Sequence, residues 1–168
     1  MPRMVDLNVT TYWWISGDAG IANPDAVSAA VLTAAKNISP YVVATTNVGP
    51  TSSDTVSEKG ITDTSNAVVP IIGNYEGSLV LFRDLTAGVP TVNDPLTTIG
   101  ATSGLVGWIV KRIGKASGAA AAAADKVDVY KFTTDTPVKS GGQGDGYLKA
   151  TVGLLPAGTF RVETTLVA

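Results

Sequence analysis

Ile61-Thr-Asp-Thr-Ser-Asn-Ala-Val-Val-Pro-Ile-Ile-Gly-Asn-Tyr-Glu-Gly-Ser-Leu-Val-Leu-Phe-Arg-Asp84 is the stretch from which the fold is read. Two extended segments, Ala67–Ile72 and Tyr75–Arg83, flank Gly73-Asn74, a pair that suits a two-residue hairpin turn because either residue takes positive φ at low cost. The first segment is apolar almost throughout, which predicts burial on both faces. In the second, Tyr75, Gly77, Leu79, Leu81 and Arg83 share one face and Glu76, Ser78, Val80 and Phe82 the other. Neither face is clearly wet, so the hairpin needs cover on both sides, part of it from another subunit. Pro70 has no N–H to donate and places its strand at an edge or beside a bulge.

The chain of 168 residues is long enough for one domain with a real core. Hydrophobic residues make up 45% and charged residues 15%, and the formal net charge is −2. A usual charged share is about 25%, so little charge keeps copies apart and self-association is favoured. Nothing is basic enough for tight nucleic-acid binding, which draws on phosphate neutralisation. There is no cysteine and no histidine. That removes disulfides, thiolate chemistry, Ser-His-Asp catalysis and the common zinc ligand sets. The lack of cysteine agrees with an intracellular origin without fixing the compartment. No signal peptide and no membrane-spanning run is expected. Asn8-Val9-Thr10 and Asn37-Ile38-Ser39 match the glycosylation pattern and, without an export signal, are read as chance.

Outward from the central stretch, Asp6–Ile15 reads as a strand ending in aromatics, with Trp13 and Trp14 as core or interface anchors. Asn23-Pro24-Asp25 predicts a helix start, and apolar spacing carries that helix to Lys36. Tyr41–Val48 reads as a strand ended by Gly49-Pro50. The polar run from Thr51 to Asn66 reads as a long arm that orders against a neighbour. Ala87–Pro90 is a turn, and Asp94 caps a short helix to Thr102. Gly104–Ile113 and Lys126–Thr134 are strands, with Lys111-Arg112 at a solvated strand end. The Gly/Ala run Lys115–Ala124 is a loop with helical character. Val138–Gly146 is a glycine-rich loop, and Tyr147–Leu155 and Thr159–Val167 form a last hairpin across Pro156-Ala-Gly158. The sum is about seven strands and one or two short helices, a β-sandwich or barrel.

No catalytic constellation emerges. Ser140–Gly146 lacks the Gly-Lys-Ser/Thr of a phosphate loop. Asp54 with Glu58, and Asp125 with Asp128, sit in or beside loops without sugar-binding aromatics. Asp18, Asn23 and Asp25 are too scattered for calcium. Neither an enzyme nor a cofactor is expected.

An ordered series of segments resembles the major tail (tail tube) proteins of long, non-contractile-tailed bacteriophages. They are Asp54–Gly60 with Thr62-Asp63, Leu79–Arg83, Gly107–Gly114, Ala123–Tyr130, Thr133–Pro137, and Gly146–Val152 with Leu155–Gly158. The resemblance covers about Ile38–Ala168 and is weaker over residues 1–37. It implies a single domain, 1–168, whose inner sheet completes a barrel across a hexameric ring, with the rings stacked into a conduit for DNA. It implies a loop reaching the adjacent ring over 49–66, carried by Pro50, Thr51, Asp54, Glu58 and Asp63. Candidate lumen or ring-interface residues are Glu76, Arg83, Lys111 and Trp108, on the second strand of the central hairpin or on Gly104–Ile113. Implied partners are copies of itself, a tape-measure protein in the lumen, and tail terminator and tail-tip or baseplate proteins. DNA passes without specific binding, no membrane is involved, and assembly takes place in the host cytoplasm. The alternatives are a head-decoration domain and a tail-tip adhesion domain that binds carbohydrate, for which Trp13, Trp14 and Trp108 are the available platforms.

Overall fold

The computed structural model describes residues 8–58, 67–140 and 147–168. Its strands are β1 (Thr10–Ser16), β2 (Lys36–Asn37), β3 (Asn47–Glu58), β4 (Ala67–Phe82), β5 (Leu85–Thr86), β6 (Val89–Pro90), β7 (Val106–Ile113), β8 (Lys126–Thr134), β9 (Val138–Ser140) and β10 (Lys149–Thr165). Two short helices, α1 (Ala29–Ala34) and α2 (Pro95–Ile99), complete it. The fold is mainly β, as expected. One antiparallel sheet runs β2-β1-β7-β8-β10-β4-β3, with β9 on β10, and β5-β6 form a separate tongue.

Alternation on the central strands divides the core in two. Trp14, Ile109, Tyr130, Phe132, Ala150, Val152 and Leu154 join Tyr75, Leu79 and Leu81 of β4 and Leu96 and Ile99 of α2 on one side. Trp13, Trp108, Val110, Val127 and Val129 point the other way, under Ile21, Val27 and Leu32. The sheet curls over its first face, so Tyr75 of β4 packs edge-on against Phe132 at 5.1 Å and beside Tyr130 and Phe160. The Tyr75 hydroxyl donates to the Lys131 carbonyl and accepts from the Ala157 N–H. Burial pushes the Tyr75 and Tyr130 phenols above their usual range, Tyr130 further because Asp128 lies beside it.

Curling does not close the sheet. The gap between β1 and β4 is bridged by the segment 38–46: the Ile38 N–H donates to Tyr12, and the Val43 N–H and Thr46 hydroxyl bond the Val80 carbonyl. A cleft of about 450 Å³ stays open there, and Lys111 is the one charged side chain lining it.

The structure corrects several expectations about where elements begin and end. β4 runs straight through Gly73-Asn74, neither of which has positive φ. A Cβ on Gly73 would lie 3.0 Å from the Phe160 ring, so this glycine admits a neighbour and turns nothing. The primed two-residue turn lies instead at Ala87-Gly88, with φ of 51° and 82°. Ile72 is exposed, against the expectation of a segment buried on both faces; the side chains just before it lie outside the described residues. Pro70 pairs with Thr55 beside a register shift, where β4 has no second neighbour.

The strand expected at Tyr41–Val48 starts only at Asn47, after a 3₁₀ turn at Ser39–Tyr41. It then continues past Gly49-Pro50 to Glu58, through the first half of the polar run read as a loop. The helix expected over Pro24–Lys36 shrinks to Ala29–Ala34. The Asn23 carboxamide oxygen accepts from the Asp25 N–H, forming a local turn that competes with helix, and Ser28 caps α1 instead. The last hairpin is a single strand, β10. Between the pairs Pro156↔Phe132 and Phe160↔Tyr130 it bulges, with Gly158 at φ 102°, and then continues forward. The run Ala119–Ala124 is not helical. Its helix-forming carbonyls are diverted to Arg112, whose guanidinium takes those of Ala116, Ala119 and Ala120. Arg112 is thus buried against Trp13 and paired with Asp125 at 2.9 Å, not left at a solvated strand end. Asp94 caps α2 as expected, and Gly100 at φ 105° ends it.

Candidate assembly interface

On β4, Tyr75, Leu79 and Leu81 turn into the core, so Glu76, Ser78, Val80 and Phe82 turn away from it. Residues opposite one another in an antiparallel register share a face. The pairs Ser78↔Asn47 and Glu76↔Gly49 extend this face onto β3, and Phe82↔Lys149, Val80↔Thr151 and Ser78↔Gly153 extend it onto β10. Thr151↔Val138 and Lys149↔Ser140 carry it to β9. The Asp135 side chain stands over Gly153, where a Cβ would come within 3.2 Å of it. The result is a four-stranded face that belongs to neither core cluster and mixes small and polar side chains with Val80, Phe82 and Val138. It carries the carboxylates of Glu76 and Asp135 and one ammonium, Lys149, which sits 5.6 Å over the Phe82 ring. The Asn47 amide donates to Glu76 at 3.0 Å and fixes its direction.

Among the described residues neither outer strand of this face pairs with a further strand. β3 ends the sheet, and β9 is paired only to β10 among the described residues. Such edges are templates for another chain.

Beyond Gly77, β10 leaves β4 and stays with β8. β3 and β4 then continue as a two-stranded ribbon, Thr51–Glu58 against Ala67–Asn74. At about 3.3 Å per residue the ribbon projects roughly 26 Å. From Thr51 to Ser57 every residue is exposed. The register shifts on either side of Asp54, and the Asn74 amide pins the irregularity by donating to the Ser52 carbonyl and to Asp54.

The residues singled out from sequence fall in three places. Pro50, Thr51, Asp54 and Glu58 lie in order along the ribbon's first strand, and Glu76 lies at its root. Asp63 lies outside the described residues. Arg83, at the far end of β4, is nearly buried in a two-point contact with the fully buried Asp94, at 2.9 and 3.0 Å from its Nε. Lys111 and Trp108 are on β7, whose two faces both enter the core. The Lys111 ammonium donates to the Val48 carbonyl at 3.2 Å. Trp108 is 3% exposed, and its indole N–H donates to the Asp18 carbonyl. β7 therefore offers no open face, and of the two strands considered for a lumen, β4 has one. Asp135, Lys149 and Thr151 were missed, since only the cross-strand register brings them beside Glu76.

Trp13, Trp14 and Trp108 are all buried, so none forms a platform for sugar. The described residues include no group of three or more His, Cys, Asp or Glu that could hold a metal, and no helix long and apolar enough to cross a membrane.

The model of one family, described as phage tail tube protein, matches residues 1–168. Among curated proteins nothing matches.

Proposed function

We propose, from the premise that this chain belongs to the phage tail tube proteins, that it builds the wall of the tube through which DNA leaves the virion. As a member it is a structural component of the virion tail, a multi-subunit assembly. In this reading six copies form a ring by apposing the β3 edge of one to the β9 edge of the next. The four-stranded faces then make one continuous barrel wall around a lumen. Twenty-four strands spaced about 4.8 Å and tilted about 40° give a backbone radius on the order of 24 Å, wide enough for duplex DNA with side chains lining the bore.

The observation that carries the reading is the ribbon. Seven consecutive strand residues, Thr51–Ser57, expose every side chain, so this part of the chain gains nothing from the subunit's own core. A neighbour supplies what the subunit does not. The ribbon is assigned as the arm that reaches the adjacent ring. Closing the sheet between copies also covers edges that would otherwise recruit strands without limit.

The proposed lumen face suits passage without adhesion. A bore that neutralised phosphates would hold DNA, and this face has two carboxylates against one ammonium. A long, non-contractile tail, a tape-measure protein in the lumen during assembly, terminator and tip proteins at the ends, and assembly in the host cytoplasm belong to the same reading.

The test is to excise residues 52–73 and join Thr51 to Asn74, a register pair, through Asn-Gly. The expected product is a folded subunit with unchanged far-UV circular dichroism that forms no tubes in electron micrographs. Long tubes from this variant would refute the ribbon's role. Glu76→Lys is expected to slow DNA ejection, and unchanged ejection would remove Glu76 from the bore.

A further inference from the structure

The ribbon needs a seat, and the geometry points to the opposite end of the same sheet. We infer that the ribbon of one copy docks on the apolar end formed by Phe82, Tyr147, Leu148 and the β5–β6 tongue of a second copy. This rests on the tube reading above and names the surface that reading lacks.

The ribbon end of β4 at Ala67 and its far end at Phe82 are about 50 Å apart along the strand. At the far end, Phe82 and Tyr147 meet edge to face at 5.3 Å, yet Tyr147 remains 78% exposed. Leu148, next to it in the chain and just before β10, is exposed too. The Arg83 N–H bonds the Leu148 carbonyl, and the Thr91 N–H bonds Asp84, so the tongue springs from this same end. It adds Val89 and then Val92, which at 86% is the most exposed large apolar residue described. Scattered exposed apolar residues need no explanation, but an aromatic pair with Leu148, Val89 and Val92 at the same end does.

The ribbon is its complement. Val56 and Ile72 are exposed on it, and between Gly49 and Glu58 its charges are the acids Asp54 and Glu58, with no base. The far end holds Lys139 and Lys149, neither of which has a carboxylate partner among the described residues. A subunit cannot fold its own ribbon back onto a surface at the other end of the strand. Two unlike surfaces at opposite ends mate head to tail, and repetition of that contact gives a stack.

The chain has no cysteine, so introduced thiols report without background. Val92→Cys is combined in turn with Ser53→Cys, Thr55→Cys and Val56→Cys, and assembled tubes are treated with a short bismaleimide. At least one pair is expected to give a covalent ladder of multimers that the single-cysteine variants lack. Separately, Tyr147→Asp with Val92→Asp is expected to raise the concentration needed for tube growth about tenfold or more, with the melting temperature unchanged. Tubes without a ladder from any pair, or tube growth unaffected by the double substitution, would overturn this seat while leaving the conduit standing. An unaltered chain that never forms tubes would remove the conduit and the seat together.

Discussion

The two halves of β4 differ more than any other two regions of the molecule. From Gly77 to Phe82 the strand is paired to β10, its other edge meets β3 at Gly77 and Ser78 and the segment 42–46 at Val80 and Leu81, and Tyr75, Leu79 and Leu81 are all buried. From Ala67 to Asn74 it pairs only with β3, and the ribbon so formed exposes Ile72 and all of Thr51–Ser57. The backbone conformation is the same in both halves. What differs is whether side chains find partners within the subunit. The body is held by tertiary contacts of its own, whereas the ribbon is held by a ladder and by Asn74, with Ile72 and Thr51–Ser57 exposed.

The sharpest way to break this contrast is in the body. Arg112→Ala leaves the nearly buried Asp125 without its guanidinium and frees the Ala116, Ala119 and Ala120 carbonyls. A loss of about 3–5 kcal/mol in urea unfolding is expected. Gly77→Val comes next: a Cβ there would lie 2.8 Å from both Leu154 and Phe132. The expected cost is about 1–3 kcal/mol by overpacking, read from the same unfolding curves.

Acid acts on the body through Asp125. Lys115 first, then the Ala122 N–H and Arg112, hold its carboxyl below the usual 3.8, against the opposing effect of burial. Because the folded-state value is depressed, the stabilisation is complete above pH 3.8 and is lost as pH falls through the folded value. Melting temperatures measured from pH 6 to pH 2.5 should fall steeply only at the acid end, and Asp125→Asn should flatten that fall. Smallest of all are changes in the ribbon. Thr55→Ala and Ser53→Ala, both at exposed positions, should shift stability by less than about 0.5 kcal/mol. A large loss at either site would mean that the ribbon packs on its own subunit.

Alternation was enough to read β1 and β8, and β7 was legible from its apolar run, because these strands are rich in β-branched and aromatic residues. Lys126–Thr134 was bounded to the residue. The cap at Asp94 was equally legible, since a carboxylate before Pro95 leaves the backbone little choice. The turns were read less well. Gly73-Asn74 and Pro156-Ala-Gly158 have turn composition, yet each lies within a strand, where the glycine admits Phe160 in one case and opens a bulge in the other. The first half of the arm was taken for a loop because its residues neither alternate nor bury, and a two-stranded ladder needs neither.

The sequence by itself determined a β-rich subunit with little charge, without histidine or cysteine, and with a polar arm that cannot hold a core. Those properties follow from residue type and local periodicity, which act over a few neighbours. Only the tertiary structure decided that β3 and β4 run on as one ribbon, that Glu76, Asp135 and Lys149 share a face, and that Arg112 organises the alanine loop. Each of these depends on which strand lies beside which, and cross-strand register is set by packing between segments far apart in the chain.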